Sequence, residues 1–120
     1  MLVLVPTRED VLAIRSIEEA FDLSTPRVTK REVALVRVAA AEGLIRLTSH
    51  ADDALDDEAI AEELVWETIQ RGKASSKDRD ERFGRQIGLN FESSERSLRD
   101  RLRVKVSWGL GYFIATVHTL

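Results

Sequence analysis

Two short runs of strongly β-forming residues, Val104–Trp108 and Tyr112–Val117, are separated only by Gly109-Leu110-Gly111. A three-residue connection with glycine where the backbone needs positive φ predicts an antiparallel hairpin. Whatever lies upstream must pack on that hairpin. The stretch that feeds it, Glu92–Arg103, has helical spacing: Leu98 and Leu102 stand four apart and give an apolar edge. Arg96, Asp100 and Arg103 lie opposite, with Arg99 and Arg101 on the flanks.

A cationic helix with a hairpin behind it is the plan of a winged helix, in which the helix enters the major groove and the hairpin touches the backbone or minor groove. The same residues carry a resemblance. Leu98-Arg99-Asp100-Arg101-Leu102, followed by Val106-Ser107-Trp108-Gly109-Leu110-Gly111-Tyr112, resembles the end of the OmpR/PhoB-type response-regulator effector domain. There the recognition helix ends in Leu-Arg-x-x-Leu and the wing carries Gly-x-Gly-Tyr. Thr29-Lys30-Arg31-Glu32, Ile45–Thr48 and Ala59–Trp66 are similar to that family's first core helix, linking strand and second helix. The resemblance implies a stand-alone effector domain without a receiver domain.

At 120 residues, the chain is expected to form one domain that buries roughly two thirds of its unfolded surface. Residues 1–28 would be an arm and helix, and residues 29–117 a winged-helix core. Absence of cysteine excludes a disulfide framework and thiolate chemistry. The longest apolar run, Leu2–Val5, is far too short to span a bilayer, so no membrane partner is expected and a cytoplasmic location fits.

The net charge of −3 hides an asymmetry. Residues 1–70 hold 7 Lys and Arg against 15 Asp and Glu, whereas residues 71–105 hold 11 against 6. Binding to nucleic acid follows the local field rather than the sum, and the basic part coincides with Glu92–Arg103.

Along the chain, Thr7-Arg8-Glu9-Asp10 approximates a capping box and predicts a helix to about Phe21–Leu23, before Pro26. Leu12, Ile14, Ile17, Ala20 and Phe21 would form its apolar face. A strand inside Val11–Ser16 is the competing reading. Thr29-Lys30-Arg31-Glu32 is a full capping box opening the most apolar helix, which Gly43 closes. Leu44–Thr48 alternates as a short strand and would join the hairpin in a small antiparallel sheet. Ser49–Asp57 reads as a loop, and a helix from about Asp56 ends at Gly72. Ser75–Lys77 reads as a linker and Asp78–Ile87 as an arginine-rich helix. Phe83–Asn90 followed by Ser93–Arg103 then scans as a helix-turn-helix with its turn at Gly88. The expected class is mainly α with a small antiparallel β-sheet, a winged helix-turn-helix.

Arginine forks to guanine or phosphate, so Arg96, Arg99, Arg101 and Arg103 are the expected DNA contacts. Ser93, Ser94 and the helix amides would hold phosphate. Ser97 and Asp100 share the exposed strip, and Lys105 and Tyr112 would contact the backbone from the wing. The competing account of these arginines is a solvated helix with Glu95–Arg99, Arg96–Asp100 and Asp100–Arg103 pairs. The acidic Asp52–Glu67 segment suits a basic protein partner, or a divalent cation through Asp52, Asp53, Asp56 and Asp57, or simply complements a helix dipole; it lacks EF-hand spacing. His50 and His118 without cysteine do not suggest zinc.

No metal, cofactor or enzymatic activity is expected. The function expected is sequence-specific binding of double-stranded DNA by a bacterial, plasmid or phage transcription regulator, as a homodimer or in tandem. The alternative is a winged-helix protein-interaction module using its acidic face on RNA polymerase or another regulator. A third reading is an architectural or replication-initiation protein.

Overall fold

A computed structural model describes residues 5–79, 87–93 and 101–120. Five helices precede or lead into a sheet: α1 (Arg8–Leu12), α2 (Ile17–Ala20), α3 (Lys30–Ala41), α4 (Ser49–Asp57) and α5 (Glu62–Arg71). The strands are β1 (Arg46–Leu47), β2 (Lys73–Asp78), β3 (Gly88–Glu92), β4 (Leu102–Trp108) and β5 (Tyr112–Thr119), in the spatial order β1-β5-β4-β3-β2. β2 to β5 form an antiparallel meander, and β1 adds to β5 in parallel.

This is an α+β fold around a five-stranded mixed sheet, which overturns the expected mainly α class with a small antiparallel sheet. The reasons are local. Lys73–Asp78, whose centre had the composition of a linker, is an edge strand, and an edge strand need not alternate apolar residues. Gly88, expected in a turn, starts β3. An added Cβ there would lie 2.3 Å from the Val106 carbonyl oxygen, so glycine permits the close pairing of β3 with β4. Leu102 and Arg103, expected to end a recognition helix, are extended in β4. Glu92, expected to open that helix, ends β3; residues 94–100 of the segment and most of the expected Asp78–Ile87 helix lie outside the described residues.

Other differences follow from capping. The expected Thr7–Phe21 helix is two helices, because Glu19 reaches back to accept from the Arg15 N–H and the Ser16 hydroxyl and so starts α2 afresh. Ser49–Asp57 is helix α4 rather than a loop, with Thr48 Oγ1 accepting from the Ala51 N–H. The Thr29 capping box stands as expected, as does the hairpin between β4 and β5.

Strand alternation divides the sheet into two faces. Leu89, Phe91, Leu102, Val104, Val106, Ile114 and Val117 are buried with helical residues such as Leu35, Val36, Val65 and Ile69 in one core. α5 lies against β2, β3 and β4, α4 against β5, and α3 against α1 and α5. The other face carries Asn90, Lys105 and Thr116 in one cross-strand row and Glu92, Arg103 and His118 in the next. Because the strands form a meander, Asp78, Gly88 and the Gly109–Gly111 turn lie at one end of the sheet, and Glu92 and Leu102 at the other.

Candidate interaction surface at the hairpin tip

The turn between β4 and β5 is closed by the Gly109 N–H, which donates to the Gly111 carbonyl at 2.8 Å. Gly111 takes φ 122°, a value suited to glycine, but Leu110 is also left-handed, at φ 55°. A leucine there bears backbone strain, and its side chain is 97% exposed. It secures nothing within the fold. Such an outlier is a pointer to function when other features converge on it.

They do converge. Beside Leu110 runs a groove of about 420 Å³ whose lining includes Leu12, Leu44, Trp108 and Tyr112. Leu12 reaches it because α1 turns Val11 and the following Ile14 into the core and leaves Leu12 outward, 50% exposed. Trp108 pairs across the hairpin with Tyr112. Tyr112 forms the floor: its ring meets Phe21 edge-on at 5.9 Å, and its hydroxyl donates to the Ala20 carbonyl at 3.4 Å. Burial raises the Tyr112 phenol above the usual tyrosine range, so the floor is neutral.

Two arginines stand at the groove. Arg15 donates from Nη1 to the Leu12 carbonyl at 2.8 Å. Arg46, on β1, donates from Nη2 to the Gly109 carbonyl at 2.9 Å, and its guanidinium lies 5.5 Å from the Phe113 ring centroid. Among the described residues, neither arginine has a carboxylate within ion-pair distance.

Of the described residues expected to touch DNA, Tyr112 is the groove floor and the others lie elsewhere. Arg103 and Lys105 share the polar face of the sheet, where Arg103 is paired with Glu92 at 2.6 Å and Lys105 with Asp78 at 2.9 Å. Ser93 closes β3, its N–H donating to the Leu102 carbonyl and its hydroxyl accepting from the Leu102 N–H. Arg101 is half-buried beside the start of β4, and Tyr112 faces the core at 1% exposure. Ser94, Arg96, Ser97, Arg99 and Asp100 lie outside the described residues. Asp52, Asp53, Asp56 and Asp57 are exposed along α4, and no metal-holding cluster occurs among the described residues.

Sequence reasoning gave Arg15, Arg46 and Leu110 no functional role and placed Leu12 on the apolar helix face, whereas Leu12 is exposed. The available signal was a leucine between two glycines at a turn centre, where asparagine or aspartate is the usual choice. No helix among the described residues is long and apolar enough to cross a membrane. Comparison with protein-family models, curated proteins and solved structures found no match.

Proposed function

We propose that this protein is a protein-interaction module that docks a partner at the hairpin tip, with Leu110 and Trp108 as its apolar anchors. The observation that carries this reading is Leu110, an almost fully exposed leucine held in a left-handed turn beside an apolar groove. Trp and Arg dominate the energetics of protein interfaces, and both are present here. The acidic helix α4 is a poorer surface for the same task. Its buried apolar residues, Ala51 and Leu55, face the core, which leaves carboxylates with no apolar anchor between them.

Duplex DNA binding is the second reading, supported by the excess of 11 cationic over 6 acidic residues in 71–105. Against it, Arg103 and Lys105 are neutralised by Glu92 and Asp78.

A photo-crosslinking residue in place of Leu110 tests the first reading in cells of the source organism, with the same residue at exposed Glu63 as control. Discrete protein adducts at position 110 but not at 63 are expected. Adducts independent of position would overturn it. A filter-binding titration with duplex DNA separates the second reading: submicromolar, steeply salt-dependent binding unaffected by Leu110→Ser would favour DNA.

A further inference from the structure

If the hairpin tip is a docking surface, as proposed above, its chemistry also limits what docks there. We infer that the partner presents an acidic amphipathic segment, with an apolar side chain entering between Leu12 and Trp108 and carboxylates reaching Arg15 and Arg46.

Charge complementarity carries this inference. Each guanidinium uses one donor on a backbone carbonyl, the Leu12 oxygen for Arg15 and the Gly109 oxygen for Arg46. A guanidinium has five N–H donors in a fixed fork. Both therefore keep donors for a planar acceptor, and Arg46 is further held by its position over the Phe113 ring. Ordering the arginines before binding reduces the side-chain entropy lost on binding. Elsewhere on the sheet, Arg103 and Lys105 already have carboxylate partners within the chain, at Glu92 and Asp78. Among the described residues, Arg15 and Arg46 flank apolar surface without one. A basic partner would bring like charges together over that surface, and a purely apolar partner would leave two cations partly desolvated without compensation.

A second copy of this chain fits less well. Its Leu110 would enter the groove readily, but an isologous contact through this patch brings Arg15 and Arg46 of both copies into one interface. The acids of α4 cannot supply the apolar side chain, because Leu55 is buried beneath them.

The test uses three labelled peptides of one length and one Leu/Phe pattern, differing only in flanking residues: Asp/Glu, Ser/Gln or Lys. Anisotropy titrations against the whole chain give the affinities, and amide NMR shifts of Leu12, Trp108 and Gly111 report the location. The acidic peptide is expected to bind at least 10-fold tighter than the basic one and to shift those three amides. Arg15→Gln/Arg46→Gln should erase that preference, whereas Arg15→Lys/Arg46→Lys, which keeps the charges, should retain most of it. Leu110→Ser should weaken all three peptides alike.

Equal binding of the three peptides at the groove would overturn the acidic partner and leave the docking surface standing. Failure of every peptide to move the groove amides, with the chain monomeric by sedimentation, would overturn both. Failure of every peptide together with a concentration-dependent dimer that Leu110→Ser abolishes would make a second copy the occupant and overturn the acidic segment.

Discussion

Lys77 Nζ meets Glu32 at 2.8 Å inside the core, with side chains 0% and 1% exposed. Every strong valence is used. The ammonium donates to both Glu32 oxygens and to the Asp22 carbonyl. The carboxylate also accepts from the Asp22 and Thr29 N–H groups and from the Thr29 hydroxyl. One ion pair thus ties the N-terminal segment, the start of α3 and edge strand β2 together.

Removing the cation alone leaves a buried carboxylate unpaired. Lys77→Met should cost about 3–5 kcal/mol, read as a lowered urea midpoint. Lys77→Met/Glu32→Gln should recover part of that loss, because glutamine keeps an acceptor for the Thr29 cap without a charge. A double variant no more stable than the single one would show that the carboxylate's charge is compensated by other groups.

The left-handed turn makes a separate prediction. Asparagine tolerates positive φ better than leucine, so Leu110→Asn should raise stability by about 0.5–1 kcal/mol in thermal unfolding. The same substitution should abolish docking at the hairpin tip. A variant that is less stable than wild type would mean that Leu110 contributes to the fold despite its exposure.

Gly72 ends α5 where that helix meets β2, and an added Cβ there would lie 2.4 Å from both the Glu92 and Thr68 carbonyl oxygens. Gly72→Ala must push helix and strand apart and should cost about 1–3 kcal/mol, as overpacking does. Wild-type stability, measured by chemical denaturation, would mean that the α5–β2 corner moves freely.

Tyr112 is the chain's single tyrosine, so its ionisation is readable by ultraviolet absorbance. Burial raises its folded pKa above the ordinary tyrosine value of about 10. Its contribution to stability is therefore complete below the unfolded pKa. Above pH 10 the unfolded state releases a proton that the folded state keeps, and stability falls by up to about 1.4 kcal/mol per pH unit. The absorbance titration should show no tyrosinate until the chain unfolds. A tyrosinate signal near pH 10 in folded protein would place the ring in solvent.

Elements with their own local chemistry were legible. The capping boxes at Thr7 and Thr29 start helices, Gly43 takes φ 68° just past α3, and the glycines of the β4–β5 turn close a hairpin. Elements that depend on neighbours were not. β2 has a polar sequence, because its identity as a strand comes from pairing with β3 and from Lys77 reaching Glu32. Leu102 fits a helical i, i+4 edge with Leu98 and equally well the period-two core row with Val104 and Val106, which is the row it occupies. β1 was legible as a strand, but its parallel pairing with β5 is decided by the chain path through α4. The groove was hidden for the same reason: Leu12, Arg46 and Leu110 are far apart in sequence, and only the tertiary fold brings them to one groove.

The outer strands of the sheet decide how the protein behaves at high concentration. β1 offers only two residues to a newcomer. β2 carries Lys73 and Lys77 and has an irregular register between Ala74 and Ser76, features that spoil a flat template for strand addition. The sheet is therefore open in topology yet guarded at both margins against growth into fibrils.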